Sequence, residues 1–150
     1  MNEEIQRSLG TKLKVGEGGS AKAVAGLTAI NGLELTADTI DVTTLDSDGG
    51  YREFKAGFKD GGELSVDGFL ITTEGKGQSE MYALFESGET EDYAVVFPEE
   101  MKAVWKFKGV VTGFGTSASL EDPISFSGTI KVSGKPELLL GAATTAYYQS

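Results

Sequence analysis

Apolar and polar side chains alternate with a period of two along most of this chain, and that pattern limits the fold more than any other feature. The clearest case is the run after Pro123. There Ile124, Phe126, Ile130 and Val132 alternate with Ser125, Ser127, Thr129 and Lys131, which predicts a strand with one buried face. Ala103, Trp105 and Phe107 alternate in the same way with Lys102, Val104, Lys106 and Lys108, setting an aromatic face against a largely basic one. Val110 to Phe114 continues that arm, and Glu121-Asp122-Pro123 makes the turn that follows. Tyr93 to Phe97 reads as a further strand, stopped by Pro98. Lys12 to Val15 alternates cleanly enough to open the first strand. The 21 glycines and only 3 prolines of the 150 residues fall between short apolar runs, as turns and bulges in an all-β chain require.

One segment breaks the period. In Gln78–Ser87, Met81, Leu84 and Phe85 stand at i, i+3 and i+4, a single apolar stripe that predicts a helix docked by that face. Gly88 is placed to end it. The expected architecture is therefore mainly β, an antiparallel β-sandwich or barrel with one flanking α-helix, in a single domain covering residues 1–150.

The stretch from Asp38 to Asp67 organises the remainder. Thr39, Asp41 and Thr43 alternate with Ile40, Val42 and Thr44, predicting a strand with one buried face, and Leu64 and Val66 alternate on the far side. Between them lies a long polar, Gly-bearing connection, and loops of that length are usually functional or disordered. Its candidate contact residues are Asp46, Asp48, Gly49, Gly50, Tyr51, Arg52, Glu53 and Phe54, with Phe58 beyond them. Tyr51, Phe54 and Phe58 bring apolar surface that a plain linker lacks, so the loop is expected to fold against something else. Upstream, Asn31-Gly32 is a turn signal, and Leu33-Glu34-Leu35 is expected to start the strand that enters this stretch. Met1 to Gly10 reads as a mobile arm. From Lys135 the alternation dissolves into PELLLGAATTAYYQS, a tail whose Leu138, Leu139, Leu140, Tyr147 and Tyr148 predict that it docks.

Composition removes most chemistry. Neither histidine nor cysteine occurs, so disulfides, imidazole bases and His/Cys zinc sets are excluded. Gly16-Glu17-Gly18-Gly19-Ser20-Ala21 fits the letter of a dinucleotide fingerprint but lacks the surrounding βαβ unit. Ser133-Gly134-Lys135-Pro136 has Pro where a phosphate loop needs Ser or Thr. Asp46-Ser47-Asp48 begins like a calcium loop, but Tyr51 stands where Gly is needed and Gly57 where the bidentate Glu belongs. Glu99 and Glu100 have no opposing group for acid–base work. No catalytic, cofactor or metal residue is assigned, and the chain is read as a non-enzyme. The formal net charge of −10 argues against gripping nucleic acid. The run from Glu86 to Glu100, with six acids and no base, is its most lopsided part. No apolar run is long enough to span a bilayer, and the N-terminus lacks a signal-peptide core, which predicts folding in the cytoplasm.

The run I-D-V-T-T-L-D-S-D-G-G followed by F-K-D-G-G-E-L-S-V-D-G resembles the major tail tube proteins of phages with long, non-contractile tails. Phe85 to Gly88, Val110 to Phe114 and Val132 to Pro136 fall where that family has similar segments. The resemblance runs from about Gly26 to Pro136. It implies a structural virion protein that forms hexameric rings stacked into a tube for DNA, in which the long loop, about residues 46–57, reaches the neighbouring ring. It also implies tape-measure, tail-tip and tail-terminator proteins as partners, with DNA passing through without specific binding and no membrane association. The tube proteins of contractile tails and secretion systems share the architecture. A monomeric β-sandwich binding module is the competing reading from another class.

Overall fold

The computed structural model describes residues 10–16, 22–71 and 78–148. Its strands are β1 (Lys12–Val15), β2 (Lys22–Ala23), β3 (Leu27–Gly32), β4 (Thr36–Asp41), β5 (Phe54–Asp60), β6 (Glu63–Phe69), β7 (Glu91–Val96), β8 (Ala103–Ser117) and β9 (Ser125–Leu140). Helix α1 is Gln78–Ser87, and a short turn at Gly141–Thr144 leads into α2, Thr145–Tyr148. Seven strands form one sheet in the order β2-β1-β7-β8-β9-β6-β3, and β4 pairs only with β5. Every described pairing is antiparallel.

The seven-stranded sheet is curled. Leu13 from β1, near one edge, joins the same hydrophobic cluster as Leu64 and Val66 from β6, and Ile30 of the opposite edge strand packs against it. A flat sheet cannot bring both edges to one core, so it closes into a barrel-like roll around Tyr93, Val95, Phe107, Phe126 and Ile130. The expected amphipathic strand is the first half of β9, between β8 and β6, with Phe126, Ile130 and Val132 buried. Register shifts between Lys106 and Lys108 and between Val111 and Gly113 bend the long β8–β9 hairpin, as bulges do.

Helix α1 occupies the predicted bounds, and the Gly88 amide closes it by donating to the Leu84 carbonyl at 2.9 Å. Its buried face is turned slightly from the expected stripe. Met81 is fully buried, Leu84 half-buried and Phe85 exposed, while Tyr82 sets its ring edge-on to Phe114 at 5.4 Å. Gly128 on β9 makes the seat, since a Cβ there would stand 2.9 Å from the Met81 methyl. Gln78, buried at the start of the helix, uses its whole amide. It accepts from the Ile71 amide and donates to the Ala25 and Phe69 carbonyls, at 2.8–2.9 Å. A buried side-chain amide with all three bonds made fixes the helix on the sheet at little desolvation cost.

The tail after Lys135 does not dissolve. Residues through Leu140 continue β9, paired with the start of β8. The bulge at Lys106/Lys108 shifts the register, so the alternation expected of a strand is lost while its ladder persists. The chain then docks as expected. Tyr147 covers Ala94, Val96 and Val104 on the face of the sheet opposite the core, so the partner face of Trp105 and Phe107 is basic only in part. The buried Lys14 ammonium donates to the Tyr147 carbonyl at 2.6 Å, and the Tyr148 hydroxyl donates to the Phe97 carbonyl at 2.6 Å.

Asn31-Gly32 does not close a hairpin. Gly32 is the last residue of β3, and the chain leaves the sheet there, with Leu33 at φ 60°. Leu33 to Leu35 carry the chain across to the separate β4–β5 ribbon rather than beginning a strand.

Candidate assembly interface

β4 and β5 make a two-stranded ribbon that stands off the barrel. The expected strand at Thr39–Thr44 exists as Thr36–Asp41, but every residue of it is exposed, so its alternation marks no buried face. The expected loop is also shorter than its sequence suggests. Phe54 to Gly57 lie in β5, paired with β4 from Asp41 back to Thr36, and the connecting tip is residues 42–53. An irregularity at Gly57–Phe58 breaks the β5 alternation, and this hides the strand from a search for period two.

The ribbon is anchored at its base and apolar along its length. Lys131 pairs with Asp60 at 3.0 Å, and the Val132 amide donates to the Gly62 carbonyl at 3.0 Å. Leu35 is exposed where the chain enters that base, and above it Ile40, Leu45, Tyr51, Phe54 and Phe58 are all exposed, Tyr51 to 78% and Phe58 to 90%. Phe54 sits opposite Asp41, and Ile40 opposite Lys55. Adjacent pairs point to opposite faces, so the ribbon presents apolar side chains on both.

The tip is built from the polar residues that gave it the look of a mobile excursion. The Val42 amide donates to the Glu53 carbonyl at 2.9 Å. The Glu53 amide donates to the Thr43 hydroxyl at 2.8 Å, and the Thr44 amide to the Ser47 hydroxyl at 2.9 Å. Ser47 in turn donates to the Glu53 carboxylate at 3.2 Å. Asp41 accepts from the Thr43 amide at 2.9 Å and from Arg52 at 3.0 Å. Hydrogen bonding from Thr43, with Arg52 beside it, holds the Asp41 carboxyl below the usual range. Asp48 opens a single tight turn in which Gly49 and Gly50 both take positive φ, a conformation glycine adopts without strain. Asp46 accepts nothing in this network; its amide donates to Thr44 Oγ1 at 3.3 Å. These bonds hold Tyr51 and Phe54 out to solvent in a set position.

No catalytic constellation accompanies the ribbon. Among the described residues, no group of three or more His, Cys, Asp or Glu side chains could hold a metal ion. The Glu99–Glu100 pair lies exposed in the β7–β8 turn. The arm at residues 1–9 and most of the Gly16–Ala21 loop lie outside the described residues.

Solved structures of tails and injection systems share this fold. The tail of an empty gene transfer agent particle, refined with C6 symmetry, superposes with a TM-score of 0.74 at 24% identity, over 92% of this chain and 100% of the other. The SPP1 tail tube matches with a TM-score of 0.66 at 13% identity, over 99% and 83%. The sheath–tube complex of an extracellular contractile injection system matches with 0.66 at 14%, over 87% and 88%. At these identities the likeness shows the fold. A search of curated proteins returns no match. The family model described as lambda phage tail tube protein matches residues 20–139, and the chain belongs to that family. It is a structural protein of the phage tail.

Proposed function

We propose that the chain assembles into hexameric rings that stack into the tail tube, and that the β4–β5 ribbon with its tip is the contact between rings. The observation that carries this reading is the set of five apolar side chains, Ile40, Leu45, Tyr51, Phe54 and Phe58, exposed on a ribbon whose strands pair only with each other. Burying apolar surface contributes about 25 cal/mol per Å², so two aromatic anchors supply on the order of a few kcal/mol per subunit. Repetition around a ring multiplies that contribution. The C6 symmetry of the gene transfer agent tail supports six as the ring number. Among the described residues the outer edges of β2 and β3 have no paired strand, which leaves them open to pairing with a neighbouring subunit.

The net charge of −10 suits a conduit past which DNA moves without being held. Tape-measure, tail-tip and terminator proteins are the partners expected at the ends of such a tube. Concentrating the purified protein, followed by sizing and electron microscopy, tests the reading. Rings or tubes are expected. A strict monomer at high concentration would instead favour an isolated binding module.

A further inference from the structure

The strap Gly141–Tyr148 lies on the face of the sheet opposite the core, yet its last bonds reach a turn that walls a groove on the core side. That groove has a volume of about 730 Å³, and Leu64 and Val95 of the core line it together with Phe97, Pro98, Met101 and Trp105. Phe97, Pro98 and Met101 belong to the connection between β7 and β8.

This turn reads Phe97-Pro98-Glu99-Glu100-Met101-Lys102 and contains no glycine. The Met101 amide donates to the Pro98 carbonyl at 2.9 Å, the Lys102 amide to the Glu99 carbonyl at 3.2 Å, and the Phe97 amide to the Ala103 carbonyl at 3.1 Å. To rejoin β8, Lys102 takes φ 48°, a left-handed conformation that favours glycine. Among the described residues, Leu33 and Lys102 alone adopt positive φ without being glycine, and Leu33 lines the same groove. Backbone strain of this sort persists only where the surrounding structure holds it.

The strap supplies that hold. The Gly141 amide donates to the Lys102 carbonyl at 2.9 Å. The Tyr148 hydroxyl donates to the Phe97 carbonyl at 2.6 Å, with the Ala103 carbonyl 3.3 Å away, so one phenol sits across both ends of the turn. The Lys102 ammonium stands 5.9 Å from the centre of the Tyr148 ring, a favourable place for a cation. Partial burial keeps the Tyr148 phenol above its ordinary value of 10, and it remains a donor at neutral pH.

We propose that the strap is a latch on the β7–β8 turn, with Tyr148 as its positioning residue, and that through the turn it sets how tightly the groove is closed. The turn's own sequence does not stabilise its left-handed corner, so the corner depends on the strap. Withdrawing Tyr148 lets Lys102 relax, and Pro98 and Met101 move with it. The device links the outer face of the sheet to a recess on its core side within one subunit, and it does not depend on how subunits meet.

Tyr148→Phe tests this, because it keeps the ring and its packing and removes only the hydroxyl. Hydrogen exchange in the variant should quicken at the Phe97, Met101 and Lys102 amides by roughly 3- to 10-fold, the effect of one lost hydrogen bond, while helix α1 is unaffected. Trp105 is the only tryptophan and lines the groove, so its quenching by acrylamide should rise in parallel. Adding Lys102→Gly, which removes the strain, should return both readings toward those of the unaltered chain. Unchanged exchange at the turn, or a uniform increase throughout the barrel, would overturn the latch. Faster exchange with Trp105 quenching unchanged would overturn the link to the groove. Failure of Lys102→Gly to restore protection would overturn the proposal as well, since the left-handed corner would then not be what the strap holds.

Discussion

Tyr93 and Phe107 face each other across β7 and β8, their rings stacked with centroids 5.8 Å apart and planes 22° from parallel. The pair sits in the middle of the curled sheet, and the Tyr93 hydroxyl is buried there with no hydrogen-bond partner. Tyr93→Phe keeps the stack and removes the unpaired hydroxyl. It should leave stability at neutral pH unchanged or raised by up to about 1 kcal/mol, since an unsatisfied buried group costs on that order. Burial pushes the Tyr93 phenol well above its ordinary value of 10, with Glu91 adding to the shift. The unfolded chain therefore loses this proton near pH 10 while the folded chain keeps it. Stability is complete below that pH and falls as pH rises beyond it. Denaturant unfolding at pH 8 and pH 11 should show a smaller alkaline loss in the variant.

The C-terminal strap is a part of the fold and not a decoration on it. Tyr147 is buried over Ala94, Val96 and Val104, so Tyr147→Ala should cost roughly 3–5 kcal/mol, the range for truncating a large buried aromatic. Urea titration followed by tryptophan fluorescence measures this directly, because Trp105 lies on the same strand as Val104.

The helix contacts rank differently from the stripe read from spacing. Met81 is fully buried above Gly128, whereas Leu84 is half-buried and Phe85 exposed. Met81→Ala should therefore cost roughly 2–5 kcal/mol, Leu84→Ala less, and Phe85→Ala least of the three. Unfolding free energies in that order are the expected result.

What could be read from the sequence follows from where burial is one-sided. The run Phe126, Ile130, Val132 and the helix at Gln78–Ser87 were legible because one face of each meets the core. In the ribbon, β4 was legible as a strand but not its exposure, and β5 was not legible at all, because neither face of either strand is covered and an irregularity at Gly57–Phe58 interrupts the period. Residues 135–140 were missed for a related reason. Their side chains are mostly exposed, and the bulge opposite Lys106 and Lys108 shifts their register. Gln78 left no signal at all, since a polar residue opening a helix is ordinarily at the surface. Of the candidate site residues, Tyr51 and Phe54 stand out in the sequence as aromatics in a polar stretch, and both are exposed. The hydrogen bonds by which Thr43, Ser47 and Glu53 hold them out depend on a register that spacing does not reveal.

The central claim is that Tyr51 and Phe54 belong to assembly and not to the subunit's own fold. Replacing both with Ser and comparing the monomer's melting temperature with its tube formation, on the same preparation, tests it most directly. Both side chains are exposed, so the melting temperature should change little while tubes are abolished or markedly shortened in electron micrographs. A double variant that melts early, or one that melts normally and still builds tubes of full length, would contradict the account.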